Sequence, residues 1–236
     1  MVSGLIGKKV GMTQIFDRDG NVIPVTAIEV GPCVVLRIFD SPAKVLLGFG
    51  PVPESKVSKP ELGFFKKAGV SPMRVKKEFK SSDNKDYKVG QEIKADFFKA
   101  GDFVDVSGIS IGKGFQGGMK RWNWSGGPEG HGSMHHRRVG SIGASSDPSR
   151  VYRGAHMPGH MGAAKVTTQN IRVMNVDLEN NLLLLKGAVP GHKNSIITIS
   201  KSFKRAYISL DEKKAVSLVK RNPMKQSKSA AKGKGK

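Results

Sequence analysis

Residues Asp102–Arg121 read Asp-Phe-Val-Asp-Val-Ser-Gly-Ile-Ser-Ile-Gly-Lys-Gly-Phe-Gln-Gly-Gly-Met-Lys-Arg. Two kinds of chain meet inside this stretch. Up to Ile111, apolar and β-branched residues alternate with polar ones, the period of a half-buried strand. From Gly112 onward the apolar members give way to glycine and lysine, and no period of 2 or 3.6 survives. The fold depends on where the chain goes after that break. Either it becomes a linker between two domains, or it leaves a β-structure and returns to it.

The flanking sequence favours a return. Upstream, Asn21–Val30 has strand texture, and Asp19-Gly20 is a tight-turn signal between Thr13–Phe16 and Val22, so a hairpin is expected near the start. Downstream, Asn170–Asp177 alternates again, Glu179–Asn181 is a turn, Leu182–Leu185 is a buried strand, Ala188–Gly191 a bend and Ser195–Ser200 another strand. Short strands at this spacing imply a sandwich or barrel. Barrel closure removes the edges that so many short strands would otherwise expose. The expectation is a mainly β protein, a small antiparallel barrel built from residues 1–111 and 166–205. A small helical insertion is expected at about 56–80, where Pro60 and Glu61 start a helix and Gly69 stops it. Residues 112–165 form a long extended loop, and 206–236 a basic C-terminal extension.

Composition narrows the partner. The chain has 236 residues, 40 Lys and Arg against 19 Asp and Glu, and a formal net charge of +21. Such an excess repels itself in a compact monomer, and a polyanion relieves it. The apolar runs fall far short of the ~20 residues of a spanning helix, so no membrane is expected. The first residues lack the apolar h-region of a signal peptide. Cys33 is the single cysteine, which excludes an internal disulfide framework and fits a reducing cytoplasm. It reads as a small core hydrophobe.

The loop 112–165 holds several near-motifs. Gly112-x-Gly114-x-x-Gly117 follows a strand as a dinucleotide loop should, but "MKRWNWSGGPEG" cannot sustain the long helix that should come next. Gly108 and Gly112-Lys113 miss a phosphate loop by one residue, and Gly114 stands where a Ser or Thr should hold Mg²⁺. His131 and His135, like His156 and His160, are four apart, yet glycine and proline oppose helix there and no cysteine is at hand. Ser141 lacks the Gly-x-Ser-x-Gly elbow. No catalytic centre, metal, cofactor or small-molecule substrate is therefore expected. The residues do suit a nucleic acid. Lys113, Lys120, Arg121, Arg137, Arg138, Arg150, Arg153 and Lys165 can neutralise phosphates, with Lys8 and Lys9 near the start. Glycines let backbone N–H groups approach a phosphate closely. Trp122, Trp124, His135, His136, His156 and His160 offer flat or hydrogen-bonding faces for bases, although the tryptophans could instead pack on the barrel. RNA is favoured over DNA because no major-groove helix carries the basic residues. A loop so poor in apolar contacts is expected to take its shape against that partner.

At these residues the chain resembles a known family. "DVSGISIGKGFQGGMKR", "RWNW", "HRRVGSIG", "MPGHMG" and "NLLLLKGAVPG", with the opening "GLIGKKVGMTQIF" and "KPELGFFKKAGV", are similar to large-subunit ribosomal protein three, the universal L-three family, in its bacterial form. The resemblance covers almost everything except the Lys-rich end. It implies a translation-factor-like barrel on the large-subunit surface and a central extension running through large-subunit rRNA toward the peptidyl-transferase centre. It implies early binding in assembly near the 3′ end of that RNA, neighbouring ribosomal proteins as partners, and no catalysis. It places the loop tip at Gly143, Ala144, Ser145 and Ser146. Many bacterial members carry a methylated glutamine just after "GSIG"; here that position is Ala144, which cannot be so modified. The alternatives are an RNA-directed enzyme with a basic substrate loop and a DNA-architectural protein.

Overall fold

The computed structural model describes residues 2–17, 20–81 and 87–208. In chain order the strands are β1 (Gly4–Phe16), β2 (Val22–Val30), β3 (Cys33–Phe39), β4 (Lys44–Pro51), β5 (Met73–Lys80), β6 (Glu92–Ile93), β7 (Phe103–Ile109), β8 (Gly114–Gln116), β9 (Gly159–Met161), β10 (Lys165–Asp177), β11 (Leu182–Lys186) and β12 (Ile196–Lys201). Two α-helices, α1 (Lys59–Ala68) and α2 (Gly118–Trp122), complete them.

Six strands close an antiparallel barrel in the order β1-β12-β7-β10-β11-β2. Strands from both sides of the glycine-rich segment build it: β1, β2 and β7 precede the segment in the chain, and β10, β11 and β12 follow it. The hairpin of β1 and β2 is present, with Phe16 opposite Val22. Asp19, half of its turn signal, lies outside the described residues, as does the basic C-terminal extension beyond Ile208. The barrel strands bury Leu5, Ile28, Val104, Val106, Val173, Leu183, Leu185, Ile197 and Ile199. Each such side chain contributes about 1.5–3 kcal/mol of burial. The strands β7 and β10 that carry the segment are themselves neighbours, with Lys165 opposite Ile109.

The remaining early strands leave the barrel. They form a separate four-stranded sheet in the order β5-β4-β3-β6. Val35, Val45, Leu47, Phe49 and Phe79 join its inner face to the barrel core. Its outer face, with Val34, Leu36 and Met73, is covered by α1 through Phe65. The helix stops at Gly69, whose φ of 65° is left-handed and suits a residue without a Cβ. The helix runs where Pro60, Glu61 and Gly69 place it, but the expected helical insertion at about 56–80 is corrected in its later part: Met73–Lys80 is strand β5, paired with β4 from Pro51↔Met73 to Lys44↔Lys80. The basic residues crowding "MRVKKEFK" hide an alternation in which Met73 and Phe79 are buried and Arg74, Lys76, Glu78 and Lys80 face water.

Cys33 sits fully buried between the two sheets, its thiol 3.4 Å from the Ile6 carbonyl oxygen. Burial pushes its pKa up to about 11, against a smaller lowering by that backbone contact. The folded protein should therefore resist alkylation at pH 8 and react only on unfolding, which a thiol reagent followed by mass spectrometry would read. The native thiol holds its proton more tightly than the unfolded one. Its contribution to stability is therefore whole below about pH 9 and declines as the pH rises toward 11. Rapid labelling of native protein at pH 8 would place the thiol elsewhere.

Candidate nucleic-acid interface

The segment between β7 and β10 begins as a two-stranded ribbon. Ser110 N–H donates to Ala164 O at 2.9 Å, and Lys113 N–H to Met161 O at 2.9 Å. Strands β8 and β9 then pair Gly114 with Met161, Phe115 with His160 and Gln116 with Gly159. Gly162 is needed here. Its φ is 78°, and a Cβ would run into the Ile111 carbonyl oxygen. Lys113 and His160 are exposed on this ribbon, and Lys165 is exposed at its foot.

Beyond the ribbon lies α2, a single helical turn ended by Asn123 in the left-handed region at φ 59°. The sequence pattern predicts no secondary structure in 112–165, so this turn and the ribbon are additions to it. They form a small anchored cluster. The Trp122 and His156 rings stack at 4.1 Å between centroids and 10° between planes. Both the Trp122 indole N–H and Arg121 Nη1 donate to Met157 O, at 2.9 and 2.7 Å. The Arg121 guanidinium lies 5.0 Å from the Trp122 ring centre. The Trp124 ring rests directly on Gly118, where any Cβ would overlap it. The tryptophans therefore pack within the extension and not on the barrel.

Further out the chain is held thinly. Gly127 N–H donates to His136 O at 2.9 Å, and His136 Nδ1 lies 2.9 Å from Pro128 O. A cleft of about 530 Å³ opens between Met119, Trp124, His135, Arg137, Arg138 and Met157. Gly143, Ala144, Ser145 and Ser146 are all exposed, and the Arg150 guanidinium lies 5.5 Å from the Tyr152 ring centre. Exposed Phe115 and Tyr152 are further aromatic faces, which sequence alone does not single out as base platforms.

Across 112–165, roughly fifty residues, the one buried residue is Gly118. No residue between Ile109 and Asn170 belongs to either buried hydrophobic cluster. Lys113, Lys120, Arg137, Arg138, Arg150, Arg153 and Lys165 are exposed and Arg121 half-buried, with only Glu129 and Asp147 to oppose them. None of the eight cations is in a salt bridge among the described residues. Hydrogen bonds fix the base of the extension, and neither buried hydrophobic cluster reaches its outer part.

The two early lysines part company. Lys8 is half-exposed, 3.9 Å from Glu29 in a loose surface pair. Lys9 is a correction to the expected interface. It is 9% exposed, and its Nζ donates to Val189 O and Gly191 O, each at 2.8 Å. Successive strand residues point to opposite faces, so Lys9 is a structural lysine of the barrel. Among the described residues no three His, Cys, Asp or Glu side chains cluster to hold a metal, and no helix is long and apolar enough to cross a membrane.

Fold and extension together define a class of protein: a β-barrel scaffold carrying a long, cationic, core-less arm. The profile of the family described as Ribosomal protein L3 matches residues 66–181. The chain is 50% identical over 206 residues to the large ribosomal subunit protein uL3 of Brachyspira hyodysenteriae, covering 86% of this chain and 95% of that one. It is 48% identical over 206 residues to the protein of the same name from Brachyspira pilosicoli, covering 86% and 94%. The chain belongs to the ribosomal protein L3 family: it is a structural constituent of the large ribosomal subunit and not an enzyme.

Proposed function

We propose that the protein binds large-subunit rRNA through residues 112–165, early in assembly and near the 3′ end of that RNA, with the tip at Gly143–Ser146 directed toward the peptidyl-transferase centre. The barrel and second sheet stay at the subunit surface, where neighbouring ribosomal proteins pack, and the assembled particle works in the cytoplasm. The observation that carries this reading is the exposed arm: eight cations outside any salt bridge among the described residues, over roughly fifty residues with one buried glycine. A chain so poor in apolar contacts gains little by folding on itself, whereas each cation laid on a phosphate releases a counterion. The stacked Trp122–His156 pair and the exposed rings of Phe115 and Tyr152 add platforms for unstacked bases. At the tip, Ala144 supplies only a methyl group, so close approach there rests on backbone and on the Ser145 and Ser146 hydroxyls.

The double variant Arg137→Ala/Arg138→Ala tests the reading. Binding to a large-subunit rRNA transcript, measured from about 50 to 300 mM salt, should show a log–log slope shallower by about 1.4–1.8, since each lost phosphate contact removes about 0.7–0.9. An unchanged slope would take both arginines off the interface. Turnover of the RNA by the isolated chain, or tighter binding to duplex DNA, would favour an RNA-directed enzyme or a DNA-architectural protein instead.

A further inference from the structure

A second basic site lies at the foot of the extension, on the outer face of the barrel where β12, β7 and β10 run side by side. Register sets Thr198 opposite Ser107 and Ser107 opposite Thr167. The Ser107 and Thr167 hydroxyls are 2.8 Å apart. Lys77 reaches this row from β5 of the second sheet, its Nζ donating to Thr198 Oγ1 at 2.6 Å. Lys165 stands two residues before Thr167, on the same face of β10. Burial, and after it the nearby charge of Lys165, lowers the Lys77 pKa. Neither lysine has a carboxylate partner among the described residues. The acid on this face of β7, Asp105, is already accepting the Asn170 N–H at 2.7 Å.

Such a place is unfavourable when empty. Two ammonium groups repel each other, and one of them is half out of water. An ammonium can only donate, and Thr198, with its oxygen accepting from Lys77, keeps its own O–H free to donate. A ligand that only accepts, carries negative charge and fits between two lysines converts the repulsion into charge-assisted hydrogen bonds. A phosphodiester meets all three conditions. The site also adjoins the foot of the arm, since Lys165 begins the strand that leads away from it. We propose that a phosphodiester of the RNA backbone bridges Lys77 and Lys165 over the Thr198–Ser107–Thr167 row, so that one strand of RNA clamps the second sheet to the foot of the extension. The clamp rests on the RNA-binding function of the arm and adds a contact that the arm alone does not supply.

The full chain and a large-subunit rRNA transcript suffice to test it. Lys77→Met should flatten the salt slope by about 0.7–0.9, and Lys77→Arg should restore it. With RNA at about ten times its Kd, acetylation of Lys77 should slow by about tenfold. If Lys77→Met weakens folding, the protection of Lys77 from acetylation in the unaltered chain carries the test, because Lys165 already counts among the cations of the arm. An unchanged slope in Lys77→Met, or unslowed acetylation of Lys77, with Arg137→Ala/Arg138→Ala still flattening the slope, overturns the clamp and leaves the arm as the interface. No RNA binding by any form overturns both. Protection of Lys77 only when other large-subunit proteins are added assigns the site to a protein acid and overturns the phosphodiester.

Discussion

Excision of residues 118–157, with Gly117 joined to Pro158 through an Asn-Gly turn, leaves a folded barrel that has lost most of the salt dependence of its RNA binding. The first half of this expectation comes from packing. No residue of the excised segment is a member of a buried hydrophobic cluster, and the ribbon beneath it still pairs Gly114 with Met161 and Gln116 with Gly159. The unfolding free energy should stay within about 0.5–1 kcal/mol of the full chain's, as for changes remote from a core. The second half comes from charge. The cut removes Lys120, Arg121, Arg137, Arg138, Arg150 and Arg153. At about 0.7–0.9 per contact the slope should fall by about 4–5, so that near 50 mM salt the full chain holds RNA roughly 10³-fold more tightly relative to 200 mM than the shortened one does. Collapse of the barrel would show that the arm is part of the core. Retention of the full slope would move the interface to the barrel.

Different physical signals governed how much of the molecule is legible in its sequence. Alternation in Asp102–Ile111 marks β7, the Asn170–Asp177 run marks most of β10, and Gly69 marks the end of α1 at the residue where the backbone turns left-handed. These are local signals, carried by side-chain period or by one residue's backbone freedom. The second sheet is not legible. Val34–Leu36 and Val45–Leu47 are continuous apolar runs, and such runs say that a strand is buried without saying in which sheet. That choice is made by long-range pairing. The arm is legible as composition, because eight cations and two acids among glycines have no use inside a core. Its internal contacts are not, since the Trp122–His156 stack and the Arg121 bond to Met157 join residues more than thirty apart. Lys77 is inconspicuous in the sequence because lysines crowd β5, and only the pairing of β5 with β4 shows which of them turns toward the barrel.

Lys8 and Lys9 read identically in sequence and should behave oppositely when changed. Lys9→Met removes an ammonium whose two hydrogen bonds fasten the Val189–Gly191 bend to β1, next to a second tie in which Asn194 N–H donates to Lys9 O at 2.7 Å. Val189 and Gly191 are themselves buried, so the released carbonyls do not simply meet water. Each unpaired buried acceptor costs about 1–3 kcal/mol. Methionine avoids desolvating an ammonium and recovers part of that. The net destabilisation should be about 2–4 kcal/mol, read as a lower denaturant midpoint at unchanged m. The salt slope of RNA binding should not move, because this charge faces protein. Lys8→Met loses only a half-exposed pair to Glu29 and should change stability by less than about 1 kcal/mol. If Lys8 touches a phosphate, its slope falls by about 0.7–0.9. A Lys9 variant that kept its stability and lost that same increment of slope would mean that the barrel turns this lysine outward, and the buried tie between β1 and the bend would have to be abandoned.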